Sequence, residues 1–269
     1  MSAAPASLWL IGCGNMAGAM LRQWIASGAL DPAKVFVVNR HDRALPEGVR
    51  QGRAFPEGPL PDAVMLGVKP QQVEAAAAAH GERIAGVQLL ISILAGAEEA
   101  VLAARFSAGA IVRAMPNLPV AIGKGVTTLY ADRADDAARQ SAEALMAPLG
   151  LVEWIPDEAM FGWATTLHGC GPAFVYRFID ALAEAGASLG MAPDQAQRLA
   201  LATVEGSALL AAQAGEAPGV LADRVASPGG STRQGLNVLD AGDALKALLR
   251  ETLAASARRD AEMAAEARK

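Results

Sequence analysis

The chain has 269 residues, enough for two domains of ordinary size. Hydrophobic residues make up 52% of it and aromatics only 4%, which favours tightly packed helices rich in Ala and Leu over a β-sandwich; the net charge of −5 argues against a nucleic-acid or anionic-membrane surface. The two cysteines, Cys13 and Cys170, give neither a disulfide framework nor metal-ligand spacing, so no metal is expected. The first residues carry no basic leader, and no apolar run reaches membrane-spanning length without Gly, Pro or a charge. A soluble cytoplasmic protein is the expectation.

Leu8-Trp9-Leu10-Ile11 is a short apolar run that stops at Gly12-Cys13-Gly14-Asn15-Met16-Ala17, after which Met20, Leu21, Trp24 and Ile25 recur at helical spacing. Strand, tight glycine turn and helix form the context in which G-x-G-x-x-G/A binds a dinucleotide. Gly12 permits the turn, Gly14 lets a pyrophosphate approach the backbone, and Ala17 keeps helix and strand close. Asn15 and Met16 complete this cofactor-binding turn. The next strand, Val35-Phe36-Val37-Val38, ends at Asn39-Arg40-His41, where NAD-binding chains usually place an Asp or Glu for the ribose hydroxyls. A carboxylate would repel a 2′-phosphate, whereas Arg40 can pair with it bidentately, so NADPH is preferred over NADH. The plain alternative for Arg40 is a solvated loop charge.

Residues 42–61 read as loop, with room for a short element. Ala63–Val68 is a buried strand followed by Lys69-Pro70-Gln71, and strand ends in open parallel sheets face the ligand crevice. Val68, Lys69 and Pro70 are therefore assigned to the cofactor edge. Gln72–Ile84 reads as helix and Leu89–Leu94 as strand, ending at Ala95-Gly96, whose small size leaves room for a flat ring. Glu98–Phe106 is helical, and strand Ala110–Ala114 leads into Met115-Pro116-Asn117-Leu118-Pro119, where Asn117 is a candidate partner for a nicotinamide carboxamide. Strand Gly125–Tyr130, helix Asp135–Leu149 and strand Leu151–Ile155 complete an alternation that predicts an α/β, Rossmann-like domain with a mostly parallel sheet over residues 1–158.

Beyond it the strands vanish, and residues 159–269 are expected to be an all-α domain. Met160–Leu167 reads as a helix broken at His168-Gly169-Cys170-Gly171-Pro172, with Pro172 opening a new helix to Leu189. Helices follow at Asp194–Ala214, Val220–Ala226, Thr232–Ala241 and Asp243–Arg268. Helices this long and apolar need more cover than one chain supplies, so a dimer, or a higher homo-oligomer, is expected through this domain. Between two of them lies Ala226-Ser227-Pro228-Gly229-Gly230-Ser231-Thr232-Arg233-Gln234-Gly235. Ser231 and Thr232 suit a helix cap, and the N–H groups at Gly229, Gly230 and Ser231 suit a carboxylate. An ordinary capped interhelical turn is the bland alternative.

Taken together, these motifs resemble pyrroline-5-carboxylate reductase, the last enzyme of proline synthesis. The resemblance rests on Gly12-Cys13-Gly14-Asn15-Met16-Ala17, Val68-Lys69-Pro70-Gln71, Ala95-Gly96, Met115-Pro116-Asn117, Gly169-Cys170-Gly171-Pro172-Ala173 and Ser227-Pro228-Gly229-Gly230-Ser231-Thr232, in the family's order over nearly the whole chain. It implies a helical domain interlocked with a partner subunit, NAD(P)H as cofactor and an active site between the domains. It also implies reduction of a cyclic imine that bears a carboxylate, which is held by Ser227, Gly229, Gly230, Ser231 and Thr232. Thr232, the catalytic candidate, would hydrogen-bond the ring nitrogen. The chain departs from the family pattern at His168, where Ser is usual, at Arg233, where an apolar residue is usual, and at Arg224, where Gln or Asn is frequent. A β-hydroxyacid dehydrogenase is the rival architecture, but its chemistry needs a lysine in the second domain, and no lysine lies between Lys124 and Lys246. Two further alternatives are an imine reductase for another cyclic imine carboxylate and a NADP-binding sensor without catalysis.

Overall fold

The computed structural model of the chain describes residues 4–267. Contacts divide it into two compact units, one built on the chain up to Cys170 together with the stretch from Ala257 onward, the other on Gly171–Ser256.

The first unit holds β1 (Leu8–Ile11), β2 (Val35–Val38), β3 (Arg50–Gly52), β4 (Ala63–Leu66), β5 (Val87–Ser92), β6 (Ala108–Pro116), β7 (Gly125–Tyr130) and β8 (Gly150–Trp154). Its helices are α1 (Asn15–Ala26), α2 (Val73–His80), α3 (Glu99–Ala103) and α4 (Asp136–Met146). The strands form one sheet in the order β3-β2-β1-β4-β5-β6-β7-β8, parallel except for the β6–β7 pair. Helical crossovers join β1 to β2, β4 to β5, β5 to β6 and β7 to β8, but the link from Asn117 to Lys124 is too short for one, so β7 runs back antiparallel. Order reverses at β1, which pairs with β2 on one side and β4 on the other. A doubly wound sheet binds its ligand outside the strand ends at such a switch point.

Both faces of this sheet are covered, which explains the unbroken apolar runs of its central strands. Leu8, Leu10, Val37, Met65 and Ile91 pack with Met20, Leu21 and Trp24 of α1 on one side. Trp9, Ile11, Val64, Leu66 and Leu90 pack with Ile84 and Leu102 on the other. The buried Trp24 indole also satisfies its N–H, donating to the Leu145 carbonyl at 2.7 Å.

The remaining helices are α5 (Glu158–Ser188), α6 (Pro193–Ala214), α7 (Pro218–Arg224), α8 (Ser231–Asp240) and α9 (Ala244–Ala267). The expected break at 168–172 does not exist: α5 runs through Pro172 without interruption. An interior proline removes the N–H that would bond to the carbonyl four residues back, here that of His168. That carbonyl accepts instead from Asn117 Nδ2 at 3.0 Å, so the helix survives. The start of α5 is pinned by an ion pair. Arg113 of β6, 6% exposed, donates to Glu158 Oε1 at 3.0 Å and lies 4.4 Å from the Phe161 ring centroid. Glu158 Oε1 also accepts from the Glu99 amide at 3.1 Å. Within the second unit, apolar side chains face outward: Tyr176 and Phe178 of α5 and Leu201 and Leu210 of α6 are each more than half exposed in the single chain.

Candidate functional site

The carboxyl ends of the parallel strands come into register. Ile11 pairs with Val38 and with Leu66, and Leu66 with Ser92. This places Gly12, Asn39, Gly67-Val68-Lys69 and the Ile93–Gly96 segment along one edge of the sheet. The approach is tightest between the two glycine-bearing ends. A Cβ on Gly67 would sit 2.6 Å from the Gly12 carbonyl oxygen, and one on Gly12, at φ +85°, 2.8 Å from Val68 Cγ1. Gly12 therefore admits no side chain, for reasons of both space and backbone. Gly14 is different: a Cβ there meets nothing within 4 Å, leaving its backbone open to an approaching group.

α1 begins at Asn15 with Gly14 as its N-cap and no capping side chain, and its first bond runs from the Gly18 amide to Gly14 O at 2.8 Å. The amides of Asn15, Met16 and Ala17 precede the helical ladder and suit an anion such as a pyrophosphate. Asn39, at the end of β2, is 8% exposed; its Oδ1 accepts from the Cys13 amide at 2.8 Å, while Nδ2 is buried with no partner. A buried donor left open beside a nucleotide turn fits a ligand acceptor such as a ribose hydroxyl. Arg40 and Lys69 are exposed, Ala95 is exposed and Gly96 takes φ +73°. Pro70 opens a short 3₁₀ turn, and the Lys69 amide donates to Gln72 Oε1 at 3.1 Å.

Against the glycine turn lies a cavity of about 300 Å³, lined by Cys13, Gly14, Asn15, Gly18, Arg22, Arg43, Ala44, Leu45 and Pro46. Arg40 is not among the lining residues; Arg22 and Arg43, which sequence reasoning passed over, are. Arg22 could have been noticed from its spacing, four residues after the slim Gly18 on the same helix face.

Asn117, the candidate for a nicotinamide carboxamide contact, makes internal bonds with its side chain. It is 7% exposed; its Oδ1 accepts from the Val126 amide at 2.8 Å and its Nδ2 serves the His168 carbonyl. The side chain thus spends an acceptor and a donor on internal bonds that join β7 to α5. His168 places Nε2 3.1 Å from Thr128 Oγ1, and its Nδ1 is buried without a partner. Burial lowers its pKa from 6.5 to about 4.

In the second unit, the turn between α7 and α8 exposes Ser227, Gly229, Ser231 and Thr232. Ser231 and Thr232 are not caps. α8 starts at Ser231, its N-cap is Gly230, and no side chain caps it. Nor is the Gly230 amide free for a carboxylate, because it donates to Ser227 O at 3.0 Å and closes the turn. Gly229 takes φ +74°, which favours glycine, and a Cβ on Gly230 would lie 2.6 Å from Ser227 Oγ, so that hydroxyl would have to turn away. The first helical bond runs from the Gln234 amide to Gly230 O at 3.2 Å, which leaves the amides of Ser231, Thr232 and Arg233 ahead of the ladder. Arg233 donates to Asp223 Oδ1 at 2.7 Å, and Arg224 to Glu216 Oε1 at 2.6 Å. Arg233, one of the two arginines that depart from the family pattern, therefore ties α8 back to α7 across the turn.

A glycine turn at the switch point of a doubly wound sheet, followed by a helical unit with an anion-ready turn, defines a two-domain dinucleotide-dependent oxidoreductase. Comparison with known proteins narrows the class. The family model described as "Pyrroline-5-carboxylate reductase dimerisation" matches residues 158–263, and one described as "NADP oxidoreductase coenzyme F420-dependent" matches residues 7–96. A pyrroline-5-carboxylate reductase of Arabidopsis thaliana is 34% identical over 262 residues, 94% of each chain. One from Synechocystis is 35% identical over 95% of this chain and 97% of its own. The solved structure of a pyrroline-5-carboxylate reductase from Coxiella burnetii superposes with a TM-score of 0.86 at 32% identity, over 96% of this chain and 98% of that one. The chain belongs to the pyrroline-5-carboxylate reductase family, NAD(P)H-dependent oxidoreductases that act on a C=N bond. No helix among the described residues is long and apolar enough to cross a membrane, and no group of metal-binding side chains occurs among them.

Proposed function

We infer that the chain reduces 1-pyrroline-5-carboxylate to L-proline with NADPH, with NADH as the alternative donor, as the last step of proline biosynthesis in the cytoplasm. The observation that carries this reading is full-length similarity to relatives of that name, combined with a glycine turn and strand-end edge shaped for a dinucleotide. The division of labour follows the sequence boundaries: residues 1–158 hold the cofactor and residues 159–269 hold the substrate and the partner subunit. The match of the dimerisation family to residues 158–263 and the outward apolar faces of α5 and α6 support the second assignment.

The bound dihydronicotinamide supplies a hydride to the imine carbon. The protein's part is to hold both molecules and manage one proton. Gly12, Gly14, Asn15, Met16 and Ala17 receive the pyrophosphate, and Asn39 and Arg40 lie at the adenosine end. Val68, Lys69, Pro70, Ala95 and Gly96 form the edge for the rest of the cofactor. In the turn, the open amides of Ser231 and Thr232 receive the substrate carboxylate, with Ser227, Gly229 and Gly230 fixing its shape. Nitrogen takes up electrons as hydride adds, so it must carry a proton or gain one. The Thr232 hydroxyl orients that nitrogen or relays its proton. Positioning and exclusion of water supply most of the rate.

The test is NADPH oxidation on adding 1-pyrroline-5-carboxylate, with 1-piperideine-2-carboxylate in parallel. Faster oxidation with the five-membered ring supports the reading. A preference for the six-membered ring makes the chain an imine reductase of different specificity, and no oxidation with either leaves a nucleotide-binding protein without this chemistry.

A further inference from the structure

The cavity beside the glycine turn has two cations in its wall and no acid to balance them. Arg22 reaches back along α1, its guanidinium 3.4 Å from where a Gly18 Cβ would stand. Arg43 comes from the loop after β2, and it does not hang loose. Gln51 of β3 grips its backbone at both ends, accepting from the Arg43 amide at 3.1 Å and donating to its carbonyl at 2.9 Å. Among the described residues neither guanidinium forms an ion pair, whereas the neighbouring Arg53 is paired with Asp42. Both guanidiniums act on Cys13 between them: burial pushes its thiol pKa up, and Arg22 and then Arg43 pull it back.

We propose that Arg22 and Arg43, not Arg40, hold the 2′-phosphate of NADP(H), and that Gln51 is the residue that positions Arg43 for it. The wall between them carries Cys13 and Gly14, directly after β1. Asn39, with its open Nδ2, is joined to this wall through the Cys13 amide. A dinucleotide laid on a Rossmann turn puts its adenosine ribose at the end of β2, which is this place. A doubly charged phosphate ester there meets two guanidiniums that can each donate twice. An NAD ribose would leave both cations facing an empty cavity. Arg40 stands at the strand end outside the cavity wall, where it is the weaker candidate for this contact.

The inference rests on the nucleotide-binding reading but not on the reaction, and it is tested by binding alone. Adenosine 2′,5′-diphosphate and adenosine 5′-diphosphate are titrated calorimetrically into the full-length protein and into Arg22→Gln, Arg43→Gln, Arg40→Gln and Gln51→Ala. The wild-type protein is expected to prefer the 2′-phosphorylated probe. Arg22→Gln and Arg43→Gln each reduce that preference about tenfold, the scale of a lost charged hydrogen bond, with the other probe unaffected. Gln51→Ala reduces the preference in the same direction, and adding Gln51→Ala to Arg43→Gln reduces it no further. Arg40→Gln changes it about twofold or less. The proposal fails if Arg40→Gln removes the preference while the other two variants keep it, if both probes weaken equally, or if the wild-type protein shows no preference. A protein that prefers the 2′-phosphorylated probe but does not oxidise NADPH with an imine keeps the arginine pair and loses the reductase reading. One that turns over but shows no preference does the reverse. All four substituted side chains lie away from the buried core, and far-ultraviolet circular dichroism checks that each variant is folded.

Discussion

His168 makes one side-chain hydrogen bond, between Nε2 and Thr128, and burial holds its pKa near 4. The lowered pKa keeps the ring neutral near neutral pH, which argues against His168 as a proton donor. His168→Ser is expected to leave the pH dependence of turnover unchanged above about pH 6. Stability responds instead. The unfolded chain protonates this ring near 6.5 and the folded one only near 4, so the unfolded state binds the extra proton in between. The contribution is present above 6.5 and lost as the pH falls toward 4. Urea midpoints compared at roughly pH 7 and pH 5 should therefore fall less for His168→Ser than for the wild-type protein. Thr232 is the opposite case: exposed, uncommitted to any cap, and next to open amides. Thr232→Ala should lower turnover by about 10- to 100-fold, the scale of a hydrogen bond to a charged group, while NADPH titrations stay unchanged. Unaltered turnover would remove its hydroxyl from the mechanism.

At the scale of elements, α5 shows where a sequence pattern misleads and why. Two glycines and a proline within five residues look like a helix break, yet the helix passes through because Asn117, 51 positions before His168, donates to the carbonyl that Pro172 cannot serve. That compensation is tertiary, and no local signal at Pro172 announces it. The same bond shows what sequence leaves open at Asn117: a polar side chain after a strand end reads alike whether it serves a cofactor or a carbonyl. Asn117→Ala should cost about 1–3 kcal/mol by stranding the Val126 amide and the His168 carbonyl. In a Pro172→Ala background the cost should be smaller, because the substituted residue restores an N–H for that carbonyl. Urea unfolding of both single variants and the double should give a coupling of about 1 kcal/mol. Additive losses would show that the Asn117–His168 bond does not stand in for the missing helical one. The glycine turn, by contrast, was legible at once, because its requirements are local: a left-handed residue, an open backbone and a small contact. The arginine cavity was not, because Arg22 and Arg43 are 21 positions apart and meet only when β2 lies beside β1.

For the whole molecule, alternating strand and helix patterns were enough to predict a mostly parallel sheet, whereas strand order emerged only from pairing. The second unit was legible as excess apolar surface. Its helices carry Tyr176, Phe178, Leu201 and Leu210 outward, and the chain matches a dimerisation family over residues 158–263. Self-association should therefore fail when that surface is charged. Phe178→Asp or Leu210→Asp should shift the protein to monomer in sedimentation velocity, and an unchanged oligomer for both would place the interface elsewhere. The sheet order has a further consequence, for synthesis on the ribosome. The nucleotide turn at Gly12 is braced by Gly67, whose amide donates to Ile11 O at 2.8 Å, and the flanking strand β4 pairs in turn with β5. Its two halves therefore leave the exit tunnel far apart in time. A nascent chain that has exposed only α1 and β2 has the signature but not the binding edge, so the cofactor is a ligand of the later chain and cannot template the first steps of folding.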